Sequence, residues 1–196
     1  STQAMRAIAD HSDKTYTLLY TKHTALKIGM FALERMVQVM EMTQAGMVYA
    51  DHYQQIDGVQ KTAPVIDYQP GSLRDDFNFG SVLLFNANAF KEVIENTEEE
   101  YQYAGLYDLR LKISQKSKLV HINEYLYTEV ESDKRKSGEK QFDYVDPKNR
   151  QVQIEMEQAC TNHLKEIGGY LYPIFRPVDF SSHTFEYEAS VIIPVR

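Results

Sequence analysis

Several features that would assign this chain to a broad class of proteins are scarce in its sequence. Its one cysteine, Cys160, has no partner for an internal disulfide, which is compatible with a reducing compartment. The longest apolar run extends only from Ala45 to Ala50, whereas a membrane-spanning helix needs about 20 apolar residues. The basic flank and apolar stretch of a secretory signal do not follow Ser1. These absences predict a cytoplasmic chain with no transmembrane segment.

Short motifs that carry well-known chemistry are also missing. The sequence contains no P-loop, no glycine-rich dinucleotide fingerprint and no Gly-x-Ser-x-Gly elbow. Its six histidines are scattered, with no pair at the helical i, i+4 spacing of a zinc site, so we assign no metal ligands. The 28 acidic residues outnumber the 21 basic ones, and a net charge of −7 repels nucleic acid. We therefore expect no nucleic-acid partner.

The composition of the chain and the order of its helix and strand patterns are typical of a globular α/β domain. The chain has 196 residues, of which 43% are hydrophobic and 25% are charged. A helix capped by Ser1 is followed by a strand over Thr15–Tyr20, then by a helix after Gly29 and a strand from Met47 to Tyr53. Strand, helix and strand at this spacing predict a parallel crossover unit.

The rest of the chain continues this alternation. The patterns predict strands over Ser81–Phe85 and Leu119–Ile122, and helices over Ala89–Glu100, over Leu106–Ile113 and from Asp146-Pro147 to Gly168-Gly169. In the last helix, His163 lies on the apolar stripe and is predicted to be a core residue. Residues 171–187 indicate an extended linker, and residues 188–196 indicate a final strand.

Segments in this order resemble the family-2-type glycosyltransferases, whose domain has the GT-A fold. The similar segments are Tyr16–Tyr20, Ala32–Val37, Gly46–Asp51, Phe79–Ser81, Tyr107–Leu109 and Val120–Tyr127, and Ser190–Val195 resembles the strand that opens the family domain. The resemblance implies a mixed sheet flanked by helices over residues 1–170, without the N-terminal part of the family domain. It also implies that residues 188–196 begin a second glycosyltransferase domain.

The resemblance implies transfer of a sugar from a nucleotide-diphosphate donor to an acceptor hydroxyl, assisted by Mn²⁺ or Mg²⁺. In the family an Asp-x-Asp motif holds that metal, but the matching positions here are Thr21, Lys22 and His23. Lys22 could neutralise a phosphate directly, and His23 could bind Mn²⁺. The alternative is an exposed polar loop. The sequence therefore assigns no cofactor.

The candidate catalytic residues are three aspartates. The acidic pair expected by resemblance is replaced by Gly105 and Leu106, which leaves Asp108 as a general base if it faces the cleft. A structural hydrogen-bonding role is the alternative for Asp108. Asp75 and Asp76 follow the Pro70-Gly71 turn and form the other candidate acid site, with a plain ion pair to the neighbouring arginine as the alternative.

Asp51 and Tyr53 are candidate ligand-binding residues. Asp51 is predicted to close a strand, and the ligand crevice of α/β sheets lies beyond the carboxyl ends of the strands. Tyr53 lies on the same face, where its ring could stack on a sugar or a nucleobase. An edge strand with a capping aspartate is the alternative for this segment.

Two functions follow from these residues. One is a glycosyltransferase domain that is catalytically incomplete alone, with a nucleotide sugar and a carbohydrate acceptor as partners. The other is a non-catalytic GT-A-like module that binds or scaffolds beside an active transferase domain in the same protein. Function depends on the site rather than on the fold, so the site must discriminate between them.

Overall fold

The computed structural model describes residues 1–131 and 150–177. The helices in these ranges are α1 (Thr2–His11), α2 (Ala32–Thr43), α3 (Ala87–Glu95), α4 (Gly105–Lys116) and α5 (Arg150–Glu166). The strands are β1 (Tyr16–Tyr20), β2 (Ala25–Ile28), β3 (Met47–Ile56), β4 (Val59–Ala63), β5 (Val82–Asn86) and β6 (Leu119–Glu131). None of these helices has both the length and the apolar character that crossing a bilayer requires.

The six strands form one mixed sheet flanked by helices, which confirms the predicted α/β class. Its order is β1-β5-β3-β6-β2, with β4 paired to β3. Strands β3 and β6 are parallel, and all other described pairings are antiparallel. Strands β1 and β3 run in the same direction, as a crossover unit requires, but β5 lies between them. The predicted parallel pair is therefore not a pair of neighbours.

Alternating side chains of the central strands build a core on each face of the sheet. In β3, Met47 and Tyr49 point into the core beneath α1, α3 and α4, whereas Val48 and Ala50 point towards α2. These four residues are 0% exposed. The first four positions of β3 are all apolar because both faces of the strand are covered there.

The predicted helices form with small shifts at their ends. Ser1 caps α1 as predicted, because its hydroxyl accepts a hydrogen bond from the amide of Ala4 at 3.2 Å. The helix predicted over Ala89–Glu100 instead spans Ala87–Glu95. Asn86 caps its first turn, and the chain leaves the helical conformation after Asn96.

Strands β2 and β4 were not predicted, and β3 and β6 are longer than expected. Asp51 consequently lies inside β3 rather than at its carboxyl end, which corrects its predicted position. Residues 171–177, the first part of the predicted linker, form neither helix nor strand and lie exposed, and their role as a linker between domains stays a prediction. The rest of that linker, the Asp146-Pro147 helix start and the strand over 188–196 lie outside the described residues.

Candidate functional site

A cavity of about 490 Å³ lies where the loop before β5 meets helices α4 and α5. Thr21, the residue that follows β1, also contributes to its wall. Its walls are formed by Thr21, Met47, Asp75, Asp76, Phe77, Asn78, Phe79, Gly80, Leu83, Tyr103, Leu106, Tyr107, Arg110 and Met156. A volume of this size is within the range of small-molecule sites.

Aromatic rings cover one side of the cavity. The ring of Phe77 lies 4.4 Å from that of Phe79, and Tyr68 packs against both of them. Phe79 also meets Tyr49 of β3 edge-on at 4.8 Å, which ties this loop to the core. The irregular segment between β4 and β5 is thus fixed by ring packing rather than by strand pairing.

Arg110 of α4 is the buried charge of this cavity. Its side chain is 5% exposed, and its guanidinium carbon lies 4.8 Å from the ring centre of Tyr107 and 5.1 Å from that of Phe79. Its Nη2 donates to the carbonyl of Arg74 at 2.9 Å, whereas Nη1 has no hydrogen-bond acceptor among the described residues. Burial lowers the pKa of Arg110, with partial compensation from Tyr68, Tyr107 and Asp75.

Gly80 lets the cavity wall approach the sheet closely. Its φ of +72° is in the left-handed region, and a Cβ there would collide with the hydroxyl of Tyr127. That hydroxyl accepts a hydrogen bond from the amide of Ser81 at 2.9 Å. The carbonyl of Ser81 in turn accepts from the amide of Thr21 at 2.9 Å, which places Thr21 on the rim of the cavity.

Asp75 and Asp76 both line this cavity. Asp76 is paired with Arg74 through two hydrogen bonds of 2.9 Å, and these hold the pKa of Asp76 below its usual range. The predicted alternative of an ion pair with the neighbouring arginine is therefore present for Asp76. Asp75 forms no salt bridge with any of the described residues.

Asp108 is not among the residues that line the cavity. Its carboxylate is 2.9 Å from the ammonium of Lys112, which also contacts Glu99 at 2.8 Å. Burial raises the pKa of Asp108, against the opposing effect of Lys112. These contacts agree with the structural alternative considered for Asp108.

Lys22 and His23, the candidate donor-binding residues, are not brought together. Lys22 lies 2.5 Å from Glu129, whose second oxygen is 3.3 Å from His52, whereas His23 is exposed. Burial by itself raises the pKa of Glu129, but the hydrogen bond from Lys22 and the charges of Lys22 and His52 outweigh it and lower that pKa.

The donor atoms at this segment do not fit the metal that the resemblance implies. An ammonium cannot bind a cation, and the carboxylate that Lys22 contacts is already paired with Lys22 and His52. Across the described parts of the chain, no group of three or more His, Cys, Asp or Glu side chains could hold an ion. We therefore derive no chemical step through a metal.

Asp51 belongs to a second buried polar cluster. Its Oδ1 accepts from the amide of Val65 at 2.8 Å and lies 2.9 Å from Nε2 of His121. The other ring nitrogen of His121 is 2.7 Å from Asp67 at the surface. Tyr53 lies apart from this cluster and stacks on Tyr125 at 4.8 Å. Neither Asp51 nor Tyr53 lines the cavity.

Arg110, His121 and Glu129 are the polar residues that sequence reasoning missed. The sequence contains no specific signal for Arg110, because α4 also carries Asp108 and Lys112 among its apolar residues. His163 was predicted correctly as a core residue. It is 6% exposed and contacts Gln115 through Nδ1 at 3.0 Å.

No protein-family model matches the sequence, and no curated protein is significantly similar to it. The resemblance to family-2-type glycosyltransferases therefore stays a prediction. The residues of the cavity are therefore what indicates a function for this chain.

Proposed function

We propose that this chain is a GT-A-like domain whose cavity binds a sugar-containing ligand without completing glycosyl transfer by itself. One observation carries the proposal. The cavity is lined by Thr21 and also by Leu106 and Tyr107. The resemblance assigns the first position to the donor diphosphate and the other two to the acceptor, and these positions are far apart in sequence. Their meeting at one cavity supports the assignment.

The chemistry of the cavity wall suits a sugar. Aromatic rings such as Phe77 and Phe79 offer flat apolar surfaces on which the C–H face of a sugar ring can pack. The carboxylates of Asp75 and Asp76 are acceptors for sugar hydroxyls. A few polar groups in a mostly apolar cavity are typical of small-molecule sites.

The positions expected to perform transfer support binding rather than catalysis. Thr21, Lys22 and His23 lack the carboxylates that the family uses for its metal. Asp108 is paired with Lys112. A non-catalytic module of this kind would serve a transferase domain elsewhere in the parent protein.

Glycosyl transfer is the second candidate, and Asp75 is the observation that favours it. This carboxylate lines the cavity without a salt bridge to a described residue, so it could accept the proton of an acceptor hydroxyl. The acceptor oxygen would then bond to the anomeric carbon while the nucleoside diphosphate leaves.

Thermal unfolding of the 196-residue chain with UDP, UDP-glucose, UDP-N-acetylglucosamine or glucose tests the binding proposal, each with Mn²⁺ and with EDTA. A ligand that binds only the folded state stabilises it by about 2.7 kcal/mol at 100 times its Kd. We expect at least one ligand to raise the unfolding midpoint. Leu106→Trp should fill the cavity and abolish this shift. Leu33→Trp, at an exposed position of α2, should retain the shift.

Release of UDP from UDP-glucose separates the two candidates. We expect no release above the blank, with or without Mn²⁺. Turnover by the wild-type chain that disappears in Asp75→Asn would replace the binding proposal by the transfer candidate. The absence of any midpoint shift in the folded wild-type chain would contradict both.

A further inference from the structure

The guanidinium of Arg110 has no counter-ion in ion-pair contact among the described residues, although Asp75 at the same cavity attracts it from a greater distance. It donates a hydrogen bond to the carbonyl of Arg74 and packs against the rings of Tyr68, Phe79 and Tyr107. No carboxylate of the described residues forms a salt bridge with it, and Nη1 has no acceptor there. An arginine stays charged in proteins, so Arg110 is a buried charge whose desolvation is only partly compensated.

A buried guanidinium at the wall of a cavity, with one nitrogen lacking a hydrogen-bond acceptor among the described residues, is suited to an anionic ligand. Arginine forms charge-assisted hydrogen bonds with carboxylates and phosphates, and these strengthen where water is excluded. The rings around Arg110 limit its side-chain freedom, because they pack on its planar group from several directions. The guanidinium is therefore already fixed in position before a ligand binds.

The other charges of the cavity select between the two kinds of anion. Both aspartates line the same cavity, but Arg74 offsets the charge of Asp76, so Asp75 supplies the local negative charge. This charge opposes a phosphate, which carries close to two charges, more strongly than a carboxylate. A carboxylate carries one charge, and a sugar that bears it keeps hydroxyls that can donate to these aspartates. The combination of one cation, two acceptors and flat rings fits a sugar acid better than a sugar phosphate.

We propose that the cavity binds a sugar that carries a carboxylate, of the hexuronic acid class, with Arg110 as the counter-ion of that carboxylate. This inference rests on the proposed sugar-binding function and adds the class of ligand. Arg110 binds the carboxylate, the ring face packs on the phenylalanines, and the aspartates accept from ring hydroxyls.

Isothermal titration of the wild-type chain with four related sugars tests the inference. Glucuronate carries the carboxylate, glucuronamide replaces it by a neutral group of the same shape, glucose lacks it, and glucose 6-phosphate carries a phosphate there. We expect glucuronate to bind about tenfold or more tighter than each of the other three, as a charge-assisted bond implies.

Variants then assign that preference to one residue. Arg110→Met should reduce glucuronate binding to the level of glucuronamide, and Arg110→Lys should retain part of the preference. Arg35→Met removes an exposed guanidinium on α2 and should leave all four affinities unchanged. The comparison of glucuronate with glucuronamide needs no variant, so it stays decisive if a substitution at Arg110 impairs folding.

Several outcomes would overturn the inference. Equal affinity for glucuronate, glucuronamide and glucose would leave sugar binding intact and remove the carboxylate specificity. A preference for glucose 6-phosphate would assign the site to phosphate, and a carboxylate preference that survives in Arg110→Met would place the anion elsewhere. If none of the four binds, the inference fails, and the proposed function is then decided separately by thermal unfolding with UDP and the two UDP-sugars.

Discussion

Glu129 and Arg110 are both charged side chains that expose 5% or less of their surface, but their surroundings differ. The two carboxylate oxygens of Glu129 lie near Lys22 and His52, at 2.5 and 3.3 Å. Arg110 has a backbone carbonyl, three aromatic rings and a cavity beside it, with no carboxylate of the described residues in ion-pair contact. One charge is neutralised inside the protein, and the other is not.

This difference in pairing distinguishes a charge that stabilises the fold from a charge that is placed to bind a ligand. Removing a charge from water costs several kcal/mol in real proteins, and a well-placed partner offsets much of that cost. Glu129 therefore stabilises the fold only together with its partners. The desolvation cost of Arg110 is opposed by one hydrogen bond and three aromatic rings but by no ion pair with a described residue, and buried charges of this kind are typical of functional sites.

Glu129→Gln should cause the largest loss of stability. The substitution removes the carboxylate but leaves Lys22 and buried His52 next to a neutral group. Breaking a buried ion pair in this way costs about 3 kcal/mol of unfolding free energy. Chemical denaturation of the two proteins under the same conditions measures the difference.

Glu124→Gln is the matched control on the same strand. Glu124 pairs with Arg35 at 2.6 Å, but both side chains are well exposed, and such pairs contribute little. We expect no measurable change in the denaturation midpoint of this variant. If Glu129→Gln loses no more stability than Glu124→Gln, burial of the Glu129 pair does not matter and the contrast with Arg110 fails.

The pH dependence of stability should identify the same group. The pKa of Glu129 is lower in the folded protein than its ordinary value of 4.5. Its stabilising contribution is therefore present above pH 4.5 and is lost as the pH falls through the lower, folded pKa. We expect the wild-type chain to lose unfolding free energy over this acidic range.

Other carboxylates with lowered pKa, such as Glu99 and Asp76, add to the same acidic loss. The informative quantity is thus the difference between wild type and Glu129→Gln at each pH. This difference should shrink as the pH falls below 4.5. A difference that stays constant down to the acid transition would show that Glu129 titrates normally.

Much of the fold could be predicted because its signals are local. Ser1 marks the start of α1, and the continuous apolar runs of β3 and β5 mark strands with both faces covered. Strands β2 and β4 were missed for a physical reason. Ala25–Ile28 and Val59–Ala63 are short and mostly exposed, and they become strands by pairing with the long strands β6 and β3.

The site was harder to predict because its contacts are not local. Asp75 and Asp76 lie in a loop, as the turn at Pro70-Gly71 predicts, and both line the cavity, but their role as site residues stays a prediction. Arg110 contacts Tyr107 of its own helix, but the rings of Phe79 and Tyr68 and the carbonyl of Arg74 come from a segment distant in sequence. His121 and Asp51 likewise meet across two strands, as do His52 and Glu129. A one-dimensional pattern cannot reveal such pairs.

Arg110→Met should have the smallest effect on stability, although it removes a buried charge. The variant loses the hydrogen bond to the carbonyl of Arg74 and the attraction of three rings for the cation, but it also removes a desolvation cost that is only partly compensated. These terms oppose each other, so we expect the unfolding free energy to change by no more than about 1 kcal/mol in either direction.

The comparison with Glu129→Gln gives this small effect its meaning, because both variants neutralise one buried charge in the same fold. Denaturation in ligand-free buffer is the decisive condition, since a bound anion would stabilise the wild-type chain selectively and enlarge the difference. A loss of about 3 kcal/mol in Arg110→Met would show that the guanidinium is compensated within the protein after all. Arg110 would then be a structural residue like Glu129, and the cavity would lose its reason to attract an anion.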